Sequence, residues 1–169
     1  MGDTLPKLLC RNAREHRDEV ALREKEFGVW RSITWGGYEA RTRALALGLR
    51  ELGVGAGDVV ALIGDNRPDW VMGEIAAHAL GARSLGIYRD SLEDEVAYLL
   101  EFCGVKAVLA ENEEQVDKLL NVSDRVPTLR HIVYSDPRGM RKYSTVRASA
   151  KMAVNSGTGM PMARCTMPE

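Results

Sequence analysis

Two glycine-bearing turns, three histidines, three cysteines and two acidic clusters are the parts of this 169-residue chain whose residue types could do chemistry. Gly53-Val54-Gly55-Ala56-Gly57 has the glycine density of a dinucleotide-phosphate loop. Such a loop must follow a strand and open a helix, so that the positive end of the helix meets the pyrophosphate. Here the glycines follow a helix-patterned stretch and lead into an apolar strand-like run, so a tight helix-to-strand connection is the better reading. Gly64-Asp65-Asn66-Arg67-Pro68-Asp69-Trp70 is better placed, at the carboxyl end of a strand and the start of a helix, where open α/β sheets bind ligands. Its residues are also ordinary helix-capping types. Capping is therefore favoured over ligand contact, and Trp70 reads as a core or half-buried anchor.

His16, His78 and His131 stand far apart, and none has the spacing of a metal site or of a base beside a serine or cysteine nucleophile. Cys10, Cys103 and Cys165 are odd in number and scattered, which argues against a disulfide framework and fits a reducing cytoplasm. Glu93-Asp94-Glu95 and the run from Glu111 to Glu114 each sit near a helix start. A solvated role favoured by the helix dipole outweighs metal binding for both. From these residues no catalytic, cofactor-binding or metal-ligating side chain is assigned.

The elements that would position these residues are read from periodicity. Leu5, Leu8 and Leu9, after Thr4 as N-cap and with Pro6 in the first turn, predict a helix over 5–16. Val20 to Arg23 and Val29 to Thr34 predict an antiparallel hairpin. Tyr38, Leu45, Leu49 and Leu52 mark a long helix that Gly53 stops. Val59-Val60-Ala61-Leu62-Ile63 is apolar at successive positions, as a strand buried on both faces must be. A helix through Trp70, Ile75 and Leu80 follows, then a strand over 84–88. Next come a helix from Ser91 with a buried stripe of Leu92, Val96, Leu99 and Leu100, a strand over 105–110, a helix over 113–120 and a strand over 129–134. Strict alternation from residue 59 onward implies right-handed crossovers and a mainly parallel sheet. The predicted fold class is α/β: an incomplete, mainly parallel sheet with flanking helices, an N-terminal hairpin and an irregular C-terminal tail.

Composition divides the chain at the same place as pattern. Overall it is 45% hydrophobic and 28% charged with a formal charge of −1, as expected of a globular protein. Residues 1–136 hold 17 Lys+Arg and 23 Asp+Glu, whereas 137–169 hold 6 and 1, with five of the seven methionines. The tail's Arg138, Arg141, Lys142, Arg147, Lys151 and Arg164 are too scattered for a polybasic cluster, so no nucleic-acid partner is expected. The N-terminus lacks the basic and apolar regions of a secretory signal, Pro6 stands where a myristoylation motif needs Ser or Thr, and no apolar run approaches a bilayer span.

The order of several weak motifs is specific. Ile33-Thr34-Trp35, Tyr38, Gly48-Leu49-Arg50-Glu51-Leu52-Gly53-Val54 and Gly57-Asp58-Val59-Val60-Ala61-Leu62 come first. Asn66-Arg67-Pro68-Asp69-Trp70, Gly81-Ala82, Leu85-Gly86-Ile87-Tyr88, Val96-Ala97-Tyr98-Leu99-Leu100 and Val108 follow. In this arrangement the first 136 residues resemble the beginning of the adenylate-forming (AMP-binding) superfamily, and particularly bacterial long-chain fatty-acyl-CoA synthetases. The resemblance implies an enzyme that joins a fatty acid to AMP using ATP and Mg²⁺ and then passes the acyl group to coenzyme A. It also implies a later phosphate loop, S-G-T-T-G-x-P-K, followed by adenine, ribose, hinge and catalytic-lysine motifs, none of which this chain contains. Asn155-Ser156-Gly157-Thr158-Gly159-Met160-Pro161-Met162 imitates the loop but lacks one threonine and has Met162 in place of the lysine, the cationic partner for phosphate.

Residues 1–136 are thus expected to be the N-terminal segment of an acyl-CoA synthetase domain, with 137–169 a tail altered by a frameshift or a misplaced gene end. Such a chain would need no cofactor of its own and be inactive alone, as a weakly stable fragment with an open sheet edge. Two other readings stay open: a subdomain that docks onto a separate, complementing ligase chain, and a small free-standing nucleotide-binding module. The nucleotide sequence from the codon of Tyr143 onward tests the frameshift. Continuation into S-G-T-T-G-x-P-K in another frame is expected, and three frames without it would contradict the expectation.

Overall fold

The computed structural model describes residues 3–140 and, as a strand, residues 163–166. The elements in chain order are α1 (Leu5–Glu15), β1 (Val20–Glu26), β2 (Val29–Thr34), α2 (Trp35–Glu51), β3 (Val59–Ile63), α3 (Pro68–Ala79) and β4 (Arg83–Ile87). After these come α4 (Glu93–Phe102), β5 (Val105–Ala110), α5 (Glu113–Val122), a 3₁₀ turn (Ser123–Arg125), β6 (His131–Tyr134) and β7 (Ala163–Thr166). They fall into two compact units. One comprises residues 1–56 and 66–82, the other 57–65 and 83–169.

The first unit holds α1, the β1–β2 hairpin, α2 and α3. The hairpin pairs Glu26 with Val29 across Phe27-Gly28, whose φ values of 48° and 82° are both positive. Positive φ at both central residues gives the mirror-image turn whose twist matches that of the strands. Thr34 caps α2: its Oγ1 accepts from the Gly37 N–H at 3.2 Å. Thr4 holds the extended N-cap backbone of α1 but makes no side-chain cap bond, contrary to expectation; Pro6, with its fixed φ, supplies the start. Tyr38 is buried on α2 and stacks against Trp35, ring centroids 6.1 Å apart. Burial, helped by the neighbouring charge of Glu74, pushes its phenol up to about 12.

The second unit is built on a sheet of order β4-β3-β5-β6-β7, in which β4, β3, β5 and β6 are parallel and β7 runs antiparallel to β6. Every residue of β3 is buried, as its unbroken apolar run requires. Val59, Ala61 and Ile63 of β3 share one apolar cluster with Val108 of β5 and Ile132 of β6. Val96 and Leu100 of α4 and Val116, Leu119 and Val122 of α5 complete it. Two sequence expectations change here. Leu92 is the extended N-cap residue of α4 and is exposed, and the buried stripe is Val96, Ala97 and Leu100. A strand, β7, lies within the stretch read as irregular. The loop-like segment Asn155 to Met162 falls outside the described residues. Among the described residues no helix is long and apolar enough to cross a membrane.

Tyr38 generates a pH test. The unfolded chain ionises a tyrosine near 10, so this phenol's contribution is fully present below about pH 10 and is lost as pH rises toward 12. Urea unfolding from pH 9 to 12 should show the parent protein losing on the order of 2 kcal/mol more than Tyr38→Phe. Parallel profiles would contradict the assignment.

Candidate functional site

The carboxyl ends of the parallel strands form the place where such a sheet accepts ligands. The chain leaves β3 toward β4 on one side and leaves β5 toward β6 on the other, so the reversal of strand order lies between the ends of β3 and β5. Gly64-Asp65 and Glu111 stand there. The Glu111 N–H donates to the Ile63 carbonyl at 3.0 Å, and the next loop is tied in by the Asp136 N–H on the Glu111 carbonyl at 2.9 Å. The Ser135 hydroxyl donates to the same carbonyl at 3.1 Å.

Side chains complete the crevice. The Glu111 carboxylate accepts from the Asp65 N–H at 2.6 Å. The Asp65 carboxylate in turn accepts from Arg89 Nη1 at 3.0 Å, and Arg89 Nε also lies 3.4 Å from Asp90. The two carboxylates hold the Arg89 guanidinium above its ordinary pKa, Asp65 contributing most. Lys118 of α5 reaches the Arg89 carbonyl at 2.5 Å. Across the mouth, Arg138 is paired with Asp136 through Nε and Nη2, the latter at 2.6 Å. Gly64 is required by this packing. Its φ is +152°, and an added Cβ would lie 2.5 Å from Glu111 Cβ.

Chemically, the crevice is an arrangement of carboxylates with their own counter-ions. A backbone N–H at the end of β3 is the donor a phosphate would seek, and at Asp65 a protein carboxylate already has it. Arg89 and Arg138 are each neutralised by aspartates. These residues do not fit a nucleotide phosphate. Among the described residues no group of three or more His, Cys, Asp or Glu side chains is placed to hold a metal ion.

The residues singled out in the sequence are distributed accordingly. Asp65 is not a cap of α3. That helix starts at Pro68 behind Arg67, which makes no side-chain cap bond and instead pairs with Glu24 of β1 at 2.7 Å. Trp70 is half-buried. Gly53 and Gly57 take positive φ in the connection between α2 and β3, as read. Glu95 closes the N-terminus of α4 by accepting the Leu92 N–H at 3.0 Å, while Glu93 and Asp94 bind Asn121 and Arg125. Glu113 and Glu114 occupy the first turn of α5, behind the cap Asn112, but Glu111 belongs to the crevice. His16 is exposed beside Glu19 at 2.9 Å. Residue type and spacing do not mark Arg89 and Lys118; their one sequence signal is position, Arg89 just after β4 and Lys118 on α5.

Comparison with known proteins decides the family. Residues 9–166 match the AMP-binding enzyme family, nearly the whole chain. The chain belongs to that family. The long-chain-fatty-acid–CoA ligase FadD15 of Mycobacterium bovis is 29% identical over 154 residues, 89% of this chain and 26% of its own. An uncharacterised protein of Mycobacterium tuberculosis is 33% identical over 135 residues, 78% of this chain and 74% of that protein. Among solved structures, the N-terminal domain of FACL13 from Mycobacterium tuberculosis superimposes with a TM-score of 0.73 at 22% identity, covering 90% of this chain and 40% of that one. This AMP-binding chain thus spans between 18% and 26% of the length of the first ligases it matches.

Gly64→Ala should destabilise the protein by about 1–3 kcal/mol, because the new methyl meets Glu111 where the backbone already has positive φ. The urea midpoint measures this, and an unchanged midpoint would show that the crevice is looser than its geometry.

Proposed function

We propose that the chain is the N-terminal segment of an ATP-dependent long-chain fatty acid–CoA ligase, and that it forms no acyl-CoA alone. The observation that carries this reading is the match to the AMP-binding family across residues 9–166 combined with a strand-end crevice closed by its own carboxylates. The complete enzyme of this reading takes a fatty acid, ATP with Mg²⁺ and coenzyme A, and works in the cytoplasm. Its phosphate-holding and lysine-bearing parts lie in sequence this chain does not contain. The segment Ser156-Gly157-Thr158-Gly159-Met160-Pro161 lies within the matched span, but it lacks a threonine and the lysine of a phosphate loop.

A second reading is favoured by one observation. The mycobacterial relative at 33% identity is covered over 74% of its own length, so most of that protein is this region. A relative made mostly of this region fits a subdomain that docks onto a separately supplied ligase remainder. Both readings say that nucleotide binding needs the rest of the domain. Calorimetry with ATP–Mg²⁺ and with coenzyme A, each at millimolar concentration, should give no binding heat. Saturable heat with either would overturn both readings in favour of a free-standing nucleotide-binding module.

A further inference from the structure

The tip of the β1–β2 hairpin carries three apolar side chains in water: Phe27 at 84% exposure, Val29 at 62% and Trp30 at 64%. Phe27 is there against both local forces. Its φ of 48° lies in the left-handed region that this turn fills with Asn, Asp or Gly and that a bulky side chain disfavours, and its exposure returns no burial for that cost. Neither the turn nor the core selects a phenylalanine at that position. Register divides the ribbon into two faces. Leu22 opposite Ile33 and Glu24 opposite Arg31 form the face toward the body of the unit, where Glu24 pairs with Arg67 at 2.7 Å. Arg23 opposite Ser32 and Lys25 opposite Trp30 form the outer face. The carboxylates of the inner face are neutralised, Glu24 by Arg67 and Glu26 by Arg31. On the outer face Lys25 lies 6.0 Å from the centre of the Trp30 ring, and among the described residues neither Arg23 nor Lys25 has a carboxylate partner.

We propose that this tip is a peripheral membrane anchor, inserted into the interface of a bilayer that carries anionic phospholipids. Geometry selects a lipid surface over a protein groove. Val29 lies on the side of Glu24 and Glu26, Trp30 on the opposite side, and Phe27 at the end between them. A flat partner or a second copy covers one side of such a ribbon, whereas a fluid apolar layer takes the end and both sides together. Charge selects the lipid. Going back from the end, the ribbon presents first Phe27 and Val29, next Trp30 with Lys25, and then Arg23. That is the order of acyl chains, headgroup level and phosphates across a membrane surface, with an amphipathic indole at the boundary and cations against the anionic layer. Two cations do not track the backbone of a nucleic acid as a basic groove does. The anchor is a property of the hairpin and requires nothing of the ligase reading above.

The test is co-sedimentation of the purified full chain with sucrose-loaded vesicles, of phosphatidylcholine alone and of equimolar phosphatidylcholine and phosphatidylglycerol. The expected result is salt-sensitive binding to the anionic vesicles, weakened about fivefold or more in each of Phe27→Asn, Trp30→Thr and Lys25→Gln. Because Asn tolerates positive φ, Phe27→Asn should also raise the urea midpoint, which separates lost binding from lost folding. No binding by the parent chain, equal binding to both vesicle types, or unchanged binding by Phe27→Asn and Trp30→Thr overturns the proposal. So does a midpoint that falls in Phe27→Asn, which would give Phe27 a role in the fold. Sedimentation without vesicles that the same substitution abolishes would make the occupant a second copy and overturn it as well.

Discussion

Val59–Ile63 has no solvent face, and that burial governs everything built around it. A strand enclosed in this way must be apolar at every position and must hand its N–H and C=O groups to neighbours on both edges. The β4 and β5 strands receive them, Ile63 standing in register with Ile87 on one side and Ala110 on the other. Parallel neighbours can be reached only by long crossovers, which is why helices separate these strands. The same constraint sends the chain out of β3 and β5 in opposite directions, leaving Asp65 and Glu111 to meet at the point of divergence.

Where one force acts locally, the sequence announces the outcome. The bounds of β3 follow from a continuous apolar run and those of β5 from one broken only by Lys106, and the alternation of strand and helix is enough for the fold class. Misreadings arise where a residue answers to something distant or out of phase. Leu92 continues the apolar spacing of α4 on paper, but its backbone is extended and precedes the helix, so helical phase does not apply to it. Asp65 is a capping residue by type, yet its carboxylate is drawn to Arg89, 24 residues away, and its N–H to Glu111, 46 residues away. Neither separation has a sequence signature, because both are products of sheet order. β7 has only four residues, too few for a period to stand out, and is defined by its pairing with β6.

Fold and chemistry part company at the crevice. Open α/β sheets bind ligands at a reversal of strand order, and this sheet has one, but the groups gathered there satisfy each other. Glu111 holds the amide that an anion would need, and aspartates hold the arginines that would draw it in. The unit is a scaffold whose strand ends are internally closed.

We propose that this chain is one segment of a ligase whose reacting groups lie in other sequence. The measurement that tests it most directly is thioester formation from palmitate, ATP–Mg²⁺ and coenzyme A, with the purified chain alone and then with the chain mixed with a FadD15-type ligase from which the matched N-terminal region has been removed. The account predicts no acyl-CoA from either component and acyl-CoA from the mixture. Turnover by the chain alone, or a mixture as silent as its parts, would contradict it.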